Sequence, residues 1–408
     1  MKRSKFGWGS RMLTVMCLLA LLSSVLVQTG AAATHNMPQA TRSGAWLDSV
    51  VFMEAEPETG MAQLAADQLD VYAMGSTNPD LYQDVSDNAS LTYSFSKGSY
   101  YDLTFNPYGP LFNDGRLNPF SNAAIREAIN WLVDRDHIIQ NILGGLGREK
   151  FFAITTDFPD YQRYQTVVEA LEVQYAYNLP QAQATITTEM TAMGAVLDGG
   201  VWTYNGQPIS IIFLIRVEDE RQQIGDYVAD QLEAVGFAVD RQYVTRSEAS
   251  PIWMQGDPAE GLFHVYTGGW VTTSVSRDEG ANFSFFYTPH DYPIPLHQAY
   301  QPSPEFDNLT LQLRDNGFSS WAERDGLFEQ ALADSLDDSG VGSVRVWLVD
   351  RSSFTARRAE TIISYDKAAG MPGSDLWPYV TRFDGVVGGQ LRVAQPGSWA
   401  AYVPVCTC

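Results

Sequence analysis

An α/β protein with enough chain for two hydrophobic cores is what this sequence predicts, and three observations carry that expectation. The chain has 408 residues, more than one typical domain needs. Residues 208–244 read as strand, helix and strand, a crossover unit of the kind that joins neighbouring parallel strands. Cysteine is scarce: Cys17 lies in the N-terminal apolar stretch, and Cys406 and Cys408 sit one residue apart at the end. That pair is too cramped for an easy disulfide and too small a set for zinc, so the fold must rely on a packed core.

The first 33 residues have the layout of a cleavable export signal. Lys2, Arg3, Lys5 and Arg11 give a positive start, Met12 to Val27 is apolar, and Ala31-Ala32-Ala33 supplies a small-residue cleavage pattern. The apolar run is shorter than the ~20 residues of a spanning helix. Cys17 lies inside that run and not after it, so no lipid-attachment cysteine is seen. The expectation is a secreted protein, periplasmic or extracellular. The formal charge is −22, and the signal carries four cations and no acid, so the remainder stands near −26 (−22 minus 4). Such a surface repels nucleic acid and anionic lipid. Aromatic residues make up 12% of the chain, which suits either large cores or a sugar- or peptide-binding cleft.

The elements follow in order. A polar linker from Thr34 to Gly44 precedes a strand at Ser49–Met53, a helix at Met61–Gln68 and a strand at Leu69–Tyr72. Tyr100–Phe105 reads as a strand closed by Asn106-Pro107. Ser121 is the expected N-cap of a helix with Ile125, Ile129 and Leu132 on one face. Asp134 caps the next helix, which Gly144-Gly145 ends. Helical stretches follow at Tyr161–Tyr177 and Pro180–Met193. In the crossover unit, Ile209–Ile215 is almost continuously apolar, as a buried parallel strand should be. Ile224, Val228, Leu232 and Val235 form the inner face of its helix, and Phe237 opens the next strand. Val265–Gly269 is a strand that ends at Trp270, followed by a long loop to Pro304. Helices are expected at Glu305–Leu313 and, after the capping pair Ser320 and Glu323, on to Leu336. Strands at Val344–Val349 and Leu391–Ala394 complete the reading.

Motifs for catalysis and cofactors are missing from the sequence. It contains no H-E-x-x-H, C-x-x-C, G-x-x-x-x-G-K-[ST] or G-x-S-x-G, and Gly144-Gly145-Leu146-Gly147 has the wrong spacing for a dinucleotide loop. His290 and His297 share a loop, which makes a metal pair conceivable but incidental placement the better expectation. Asp278-Glu279 lies near Trp270 and could provide acids for glycoside hydrolysis, although a solvated loop accounts for it more simply. No cofactor is implied. Trp270 itself reads either as a core residue closing a strand or as a ring that stacks on a ligand.

Several segments resemble the family 5 extracellular solute-binding proteins, the oligopeptide- and dipeptide-binding components of ABC importers. They are Ala65–Val71, Leu103–Asn106, the helix Ile125–Arg135, Asp198–Val244, Gly268-Gly269-Trp270 and Pro304–Asp307. The resemblance covers most of residues 48–336 and implies a periplasmic-binding-protein-like type II fold. Two α/β lobes are joined by crossing strands, with a ligand cleft between them that closes on the solute before docking on a membrane permease. After the export signal at 1–33, it implies a partial first lobe at 34–105, a large second lobe at 106–342 and a return segment at 343–408 with a truncated end. Phe105-Asn106 and Val349-Asp350 are the expected interlobe crossings. Arg126 and Arg135 are expected in structural ion pairs, away from ligand. The ligand-site candidates are Trp270, Tyr266, Gly269, Thr273, Arg277, Asp278 and Asn106. Peptide binders of the family place an Asp soon after the Gly-Trp pair to hold the ligand's amino group; Thr273 stands at that position, with Asp278 as a substitute and Arg277 as a partner for a carboxylate.

The resemblance also begins in the family's middle. Gly388–Ala394 resembles the strand that normally opens a mature member, so the expectation is a truncated reading frame or a lobe completed by another chain, with an exposed sheet edge and an apolar patch. The leading functional expectation is therefore a secreted, monomeric binding subunit of an ABC importer for oligopeptides or similar solutes, and not an enzyme. A secreted carbohydrate-active hydrolase is the alternative, and a sensory binding protein on the same fold a third.

Overall fold

A computed structural model describes residues 43–272, 275–300, 302–337, 342–374 and 376–397. The expected export signal, Thr273 and all three cysteines lie outside the described residues. No helix among those described is long and apolar enough to cross a membrane.

A nine-stranded mixed sheet organises the chain. Its strands are β1 (Ser49–Glu54), β2 (Val71–Tyr72), β3 (Leu91–Phe105), β4 (Gly147–Glu149), β5 (Ser210–Arg216), β6 (Ala238–Val244), β7 (Val265–Val271), β8 (Arg345–Arg358) and β9 (Gln390–Gln395). The spatial order is β1-β9-β2-β8-β3-β7-β5-β6, with β4 paired to β8. The expected crossover unit is present: β5 and β6 pair in parallel from Ser210↔Ala238 to Arg216↔Val244. The helix between them, Arg221–Ala234, buries Ile224, Val228 and Leu232. Such a pair needs a covering helix, because parallel strands cannot be joined by a tight turn.

Strands β3 and β8 hold the two halves together. They are antiparallel from Arg345↔Thr104 to Arg358↔Leu91, with irregularities near Leu348 and Ser352. Along β3, Leu91 belongs to a core with Leu64, Tyr72 and Val85, whereas Tyr100 to Phe105 belong to a larger core with Ile129, Phe213 and Ile224. Along β8, Val346–Val349 lie in the larger core and Phe354 and Ala356 in the smaller one. Two further clusters cover the opposite faces: Leu47, Val71, Leu391 and Val393 at one end, and Leu214, Trp253 and Tyr266 at the other. The expected crossing at Val349-Asp350 therefore lies where β8 changes cores. Phe105-Asn106 is instead at the far end of β3, because the strand starts nine residues earlier than its apolar pattern shows; the change of core on β3 falls between Phe95 and Tyr100.

The helices used below are α1 (Pro57–Ala65), α2 (Pro79–Ser86), α3 (Ala123–Leu132), α4 (Leu179–Ala192), α5 (Arg221–Ala234), α6 (Arg246–Trp253), α7 (Ala281–Tyr287), α8 (Pro304–Arg314) and α9 (Trp321–Asp334). Helix α3 starts one residue later than expected. Asn122 is its cap, accepting from the Ala124 and Ile125 amides, while the Ser121 hydroxyl donates back to the Asn118 carbonyl. Asp134 does cap the following turn, through the His137 amide at 3.1 Å. The stretch from Trp270 to Pro304, read as a loop, contains α7 and a short turn of helix at Pro295–Gln298.

Arg126 and Arg135 are structural, as expected, but backbone carbonyls hold them. Arg126 donates to Gly342 and Phe120, and Arg135 to Lys150, Trp347 and Asn130. Arg135 makes no ion pair among the described residues, and burial pushes its guanidinium down to about 10. Strand β9, the Gly388–Ala394 segment, inserts in parallel between β1 and β2. Arg392 secures it through Nη2 to Asp70 at 2.6 Å. Among the described residues β1 forms one sheet edge, with Val51 and Phe52 exposed, and β6 the other.

Candidate functional site

In open α/β sheets ligands collect at the carboxyl ends of parallel strands. Here β5 ends at Arg216, β6 at Val244 and β7 at Val271. Val271 lies opposite Ser99 of β3, and Ser99 lies opposite Arg351 of β8, so these strand ends face the level at which the crossing strands change cores. A crevice of about 330 Å³ opens there. The end of β5, the first residue of α5, the length of α6, β7, Tyr292, and Thr104 and Arg345 of the crossing strands form its walls.

Trp270 is packed among core aromatic residues and also borders the crevice. The half-buried ring stands edge-on to Phe286 at 5.0 Å and to Tyr292 at 5.9 Å. Its Nε1 donates to Asp102 Oδ1 at 3.2 Å. The guanidinium of Arg345 lies 5.2 Å from the ring centroid and donates to Asp102 Oδ2 at 2.9 Å and Thr104 Oγ1 at 2.6 Å. A buried carboxylate is tolerable in that position because both its oxygens have donors. The rest of Trp270 lines the crevice. Gly268 is required at the start of this arrangement, since a Cβ there would collide with the Asp102 carboxylate. Tyr266 stacks on Trp253 at 4.9 Å and accepts from Arg216 Nη1 at 3.0 Å. Gly269 leaves room for a guanidinium edge: a Cβ there would stand 2.7 Å from Arg221 Nη1.

The other expected site residues lie elsewhere. Asn106 is fully buried, and its Nδ2 donates to the Pro258 and Phe263 carbonyls at 2.9 and 3.1 Å, leaving nothing for a ligand. Arg277 is exposed and does not line the crevice. Asp278 accepts from Arg324 Nη2 at 2.9 Å. Glu279 turns inward, accepting the Thr155 amide and hydroxyl, while its own amide donates to Asp160 Oδ2 at 2.7 Å. Burial pushes the Glu279 carboxyl up to about 8, against the pull of Lys150 and the Thr155 bonds. Glu279 thus anchors the segment after β7 to Thr155 and Asp160, and Asp278 anchors it to Arg324. Neither lines the crevice, so the arrangement does not supply the facing carboxylates a glycoside hydrolase uses.

The two loop histidines do not form a metal pair. His297 is buried, bonded to the Tyr292 carbonyl at 3.0 Å and near Arg345, and burial holds it down at about 3. His290 Nε2 lies 2.8 Å from Asp307. Among the described residues no group of three or more His, Cys, Asp or Glu is placed to hold a metal ion.

Sequence reasoning missed Arg216, Arg221, Arg246, Arg345, Trp253 and Tyr292, all of which line the crevice. Arg216 ends β5 and Arg246 stands two residues past β6, so charge directly after an apolar strand was a readable cue. Polar contacts also cross the core change. Glu220 accepts from Tyr101 Oη at 3.0 Å and from Arg351, which also donates to Thr77 Oγ1 at 3.0 Å. On another part of the junction Asp157 lies 3.5 Å from Lys97 Nζ and 3.7 Å from Lys367 Nζ.

Comparison with known proteins agrees with this fold. No curated protein sequence matches the chain. Among solved structures, NikA from Brucella suis, in complex with Fe(III)-EDTA, superposes with a TM-score of 0.56 at 17% identity over 78% of this chain and 59% of its own. The oligopeptide-binding protein AppA from Bacillus subtilis, in complex with a nonapeptide, gives 0.50 at 17% over 80% and 58%. A nickel ABC transporter structure from Bacillus halodurans gives 0.55 at 14% over 81% and 60%. At these identities the likeness establishes the two-lobed type II binding-protein fold, and the chain spans about three fifths of each relative. The sequence profile of the bacterial extracellular solute-binding proteins, family 5 middle region, matches residues 41–292, more than half of the chain. The chain belongs to the family 5 bacterial extracellular solute-binding proteins.

Proposed function

We propose that the chain is the secreted solute-capturing subunit of an ABC importer, binding a peptide or similar small solute in the crevice and presenting it to a membrane permease. The observation that carries this reading is the crevice itself. It lies at the carboxyl ends of β5, β6 and β7, at the level where β3 and β8 pass from one core to the other. A solute there touches one lobe first and the second only when the lobes approach, so binding favours the closed arrangement by its differential contacts. A volume of about 330 Å³ lies at the small end of ligand sites, which span ~300–1,000 Å³. This favours a compact solute or a short peptide over a long one.

Native mass spectrometry of the purified protein, with thermal unfolding across a solute panel, tests the reading. The expected result is a stoichiometric small solute, unaltered on release, whose addition raises the melting temperature with concentration. A protein that carries no solute, gains no stability from any, or converts one to product would refute it.

A further inference from the structure

The crevice is cationic in a chain of charge −22. Arg216, Arg221, Arg246 and Arg345 line it, and no Asp or Glu does. Three of these have acidic partners outside the lining. Arg216 Nε bonds Glu218 at 2.7 Å, Arg221 grips Asp219 through Nε and Nη2 at 2.7 Å each, and Arg345 bonds Asp102. Arg246 is exposed and has no ion-pair partner among the described residues. Hydrogen-bonding capacity remains: Arg216 Nη2, Arg221 Nη1 and the whole Arg246 guanidinium find no acceptor among the described residues. The missing side chain of Gly269 lets the Arg221 guanidinium lie against β7.

Helices α5 and α6 both begin at the crevice, with Arg221 and Arg246 as their first residues; their first amides are already taken by Asp219 and Glu218, so the positive character of the lining comes from the guanidinium groups. The acidic remainder of the surface is screened beyond ~8 Å at physiological salt; the three carboxylates in direct contact offset Arg216, Arg221 and Arg345, which leaves Arg246 as the cation without a paired acid among the described residues. The crevice walls are flat and apolar: Trp253 stacked on Tyr266 on one side, Trp270 and Tyr292 on another.

We propose that this crevice selects a compact solute carrying an oxyanion, carboxylate or phosphate, on a flat or apolar body, with Arg216, Arg221 and Arg246 holding the oxyanion and the aromatic residues the body. The assignment rests on the capture reading above and specifies its substrate class. An ammonium group would find no carboxylate in the lining, whereas guanidinium groups with spare N–H donors match a carboxylate or phosphate edge.

Calorimetry with matched pairs tests the proposal. N-acetylphenylalanine, glucuronate and phenyl phosphate are compared with N-acetylphenylalanine amide, glucose and phenol, and phenethylamine serves as the cation. At least one oxyanion should bind ten-fold or more tightly than its uncharged counterpart, and its affinity should fall as salt rises. The carboxylate and phosphate arms separate the two oxyanions. Arg246→Gln, an exposed change checked by an unaltered melting temperature without solute, should reduce that preference at least three-fold. No oxyanion preferred over its counterpart, an equal preference in Arg246→Gln, or tightest binding of phenethylamine would overturn the proposal. If it fails while native mass spectrometry still finds a neutral or cationic solute, capture stands and the charge class alone is wrong.

Discussion

Glu279→Gln measures how firmly the segment behind the crevice is anchored. In the native state Glu279 is 3% exposed, among Thr155, Asp160, Lys150 and Asp350. Desolvation raises its carboxyl from 4.5 to about 8. For an acid raised in this direction, the native state holds a proton that the unfolded chain has lost between those two values, so stability is full below pH 4.5 and declines as pH rises to about 8. The slope is ~1.4 kcal/mol per pH unit. From pH 5 to 8 the ceiling is therefore about 4 kcal/mol; movement of Lys150 toward the new charge would reduce it. Glutamine keeps an oxygen for the Thr155 amide and hydroxyl and cannot ionise. Urea unfolding of both proteins at pH 5, 6, 7 and 8 isolates the term, because every other group contributes equally to the two curves. Glu218, held down at about 2 by its bond to Arg216, loses its contribution only as pH falls from 4.5 toward that value, outside this window. Wild type should lose stability relative to the variant at each step. Parallel profiles, or a relative gain with rising pH, would refute the protonated, buried state.

Trp270→Ala should remove solute-dependent stabilisation and also cost ~2–4 kcal/mol without solute, since the ring packs on Phe286 and on Arg345; calorimetry with and without solute separates the two effects. Asn106→Ala leaves two buried carbonyls and the Tyr108 amide without their partner, an expected loss of ~2–4 kcal/mol in urea, with solute affinity unchanged in the protein that remains folded. Glu220→Gln weakens the bonds to Arg351 and Tyr101 across the core change and should cost ~1–2 kcal/mol, with the difference shrinking as salt is raised.

Buried apolar runs made much of the architecture legible. Ile209–Ile215 and the inward face of α5 identified a parallel pair that the structure contains with each strand starting one residue later, at Ser210 and Ala238. The small-core ends of the crossing strands were not legible, for a physical reason. There β3 and β8 face each other with hydroxyls, Ser94 to Thr355 at 3.0 Å and Ser96 to Ser353 at 2.6 Å. Ser and Thr in that density read as loop, yet in a sheet they satisfy one another across strands. Site legibility divided along similar lines. Trp270, Tyr266 and Gly269 were visible because they close an apolar strand. Arg345 was hidden because its acidic partner Asp102, 243 residues away in sequence, meets it only in the fold, and Arg221 because its pairing with the nearby Asp219 reads as a local surface ion pair.

The same contacts show why a solute at the crevice would be felt by the strands that join the cores. Asp102 of β3 receives Trp270 Nε1 from β7 and Arg345 Nη1 from β8, so one carboxylate connects the crevice wall to both crossing strands. Beside it, Arg221 lies over the Tyr101 ring at 5.4 Å, and Tyr101 Oη donates to Glu220, which also holds Arg351. An anion that draws Arg221 toward the crevice would pull on the residue next to Glu220. It would thereby bias the contact that spans the change of core, and solute occupancy and lobe position would share one set of charged groups.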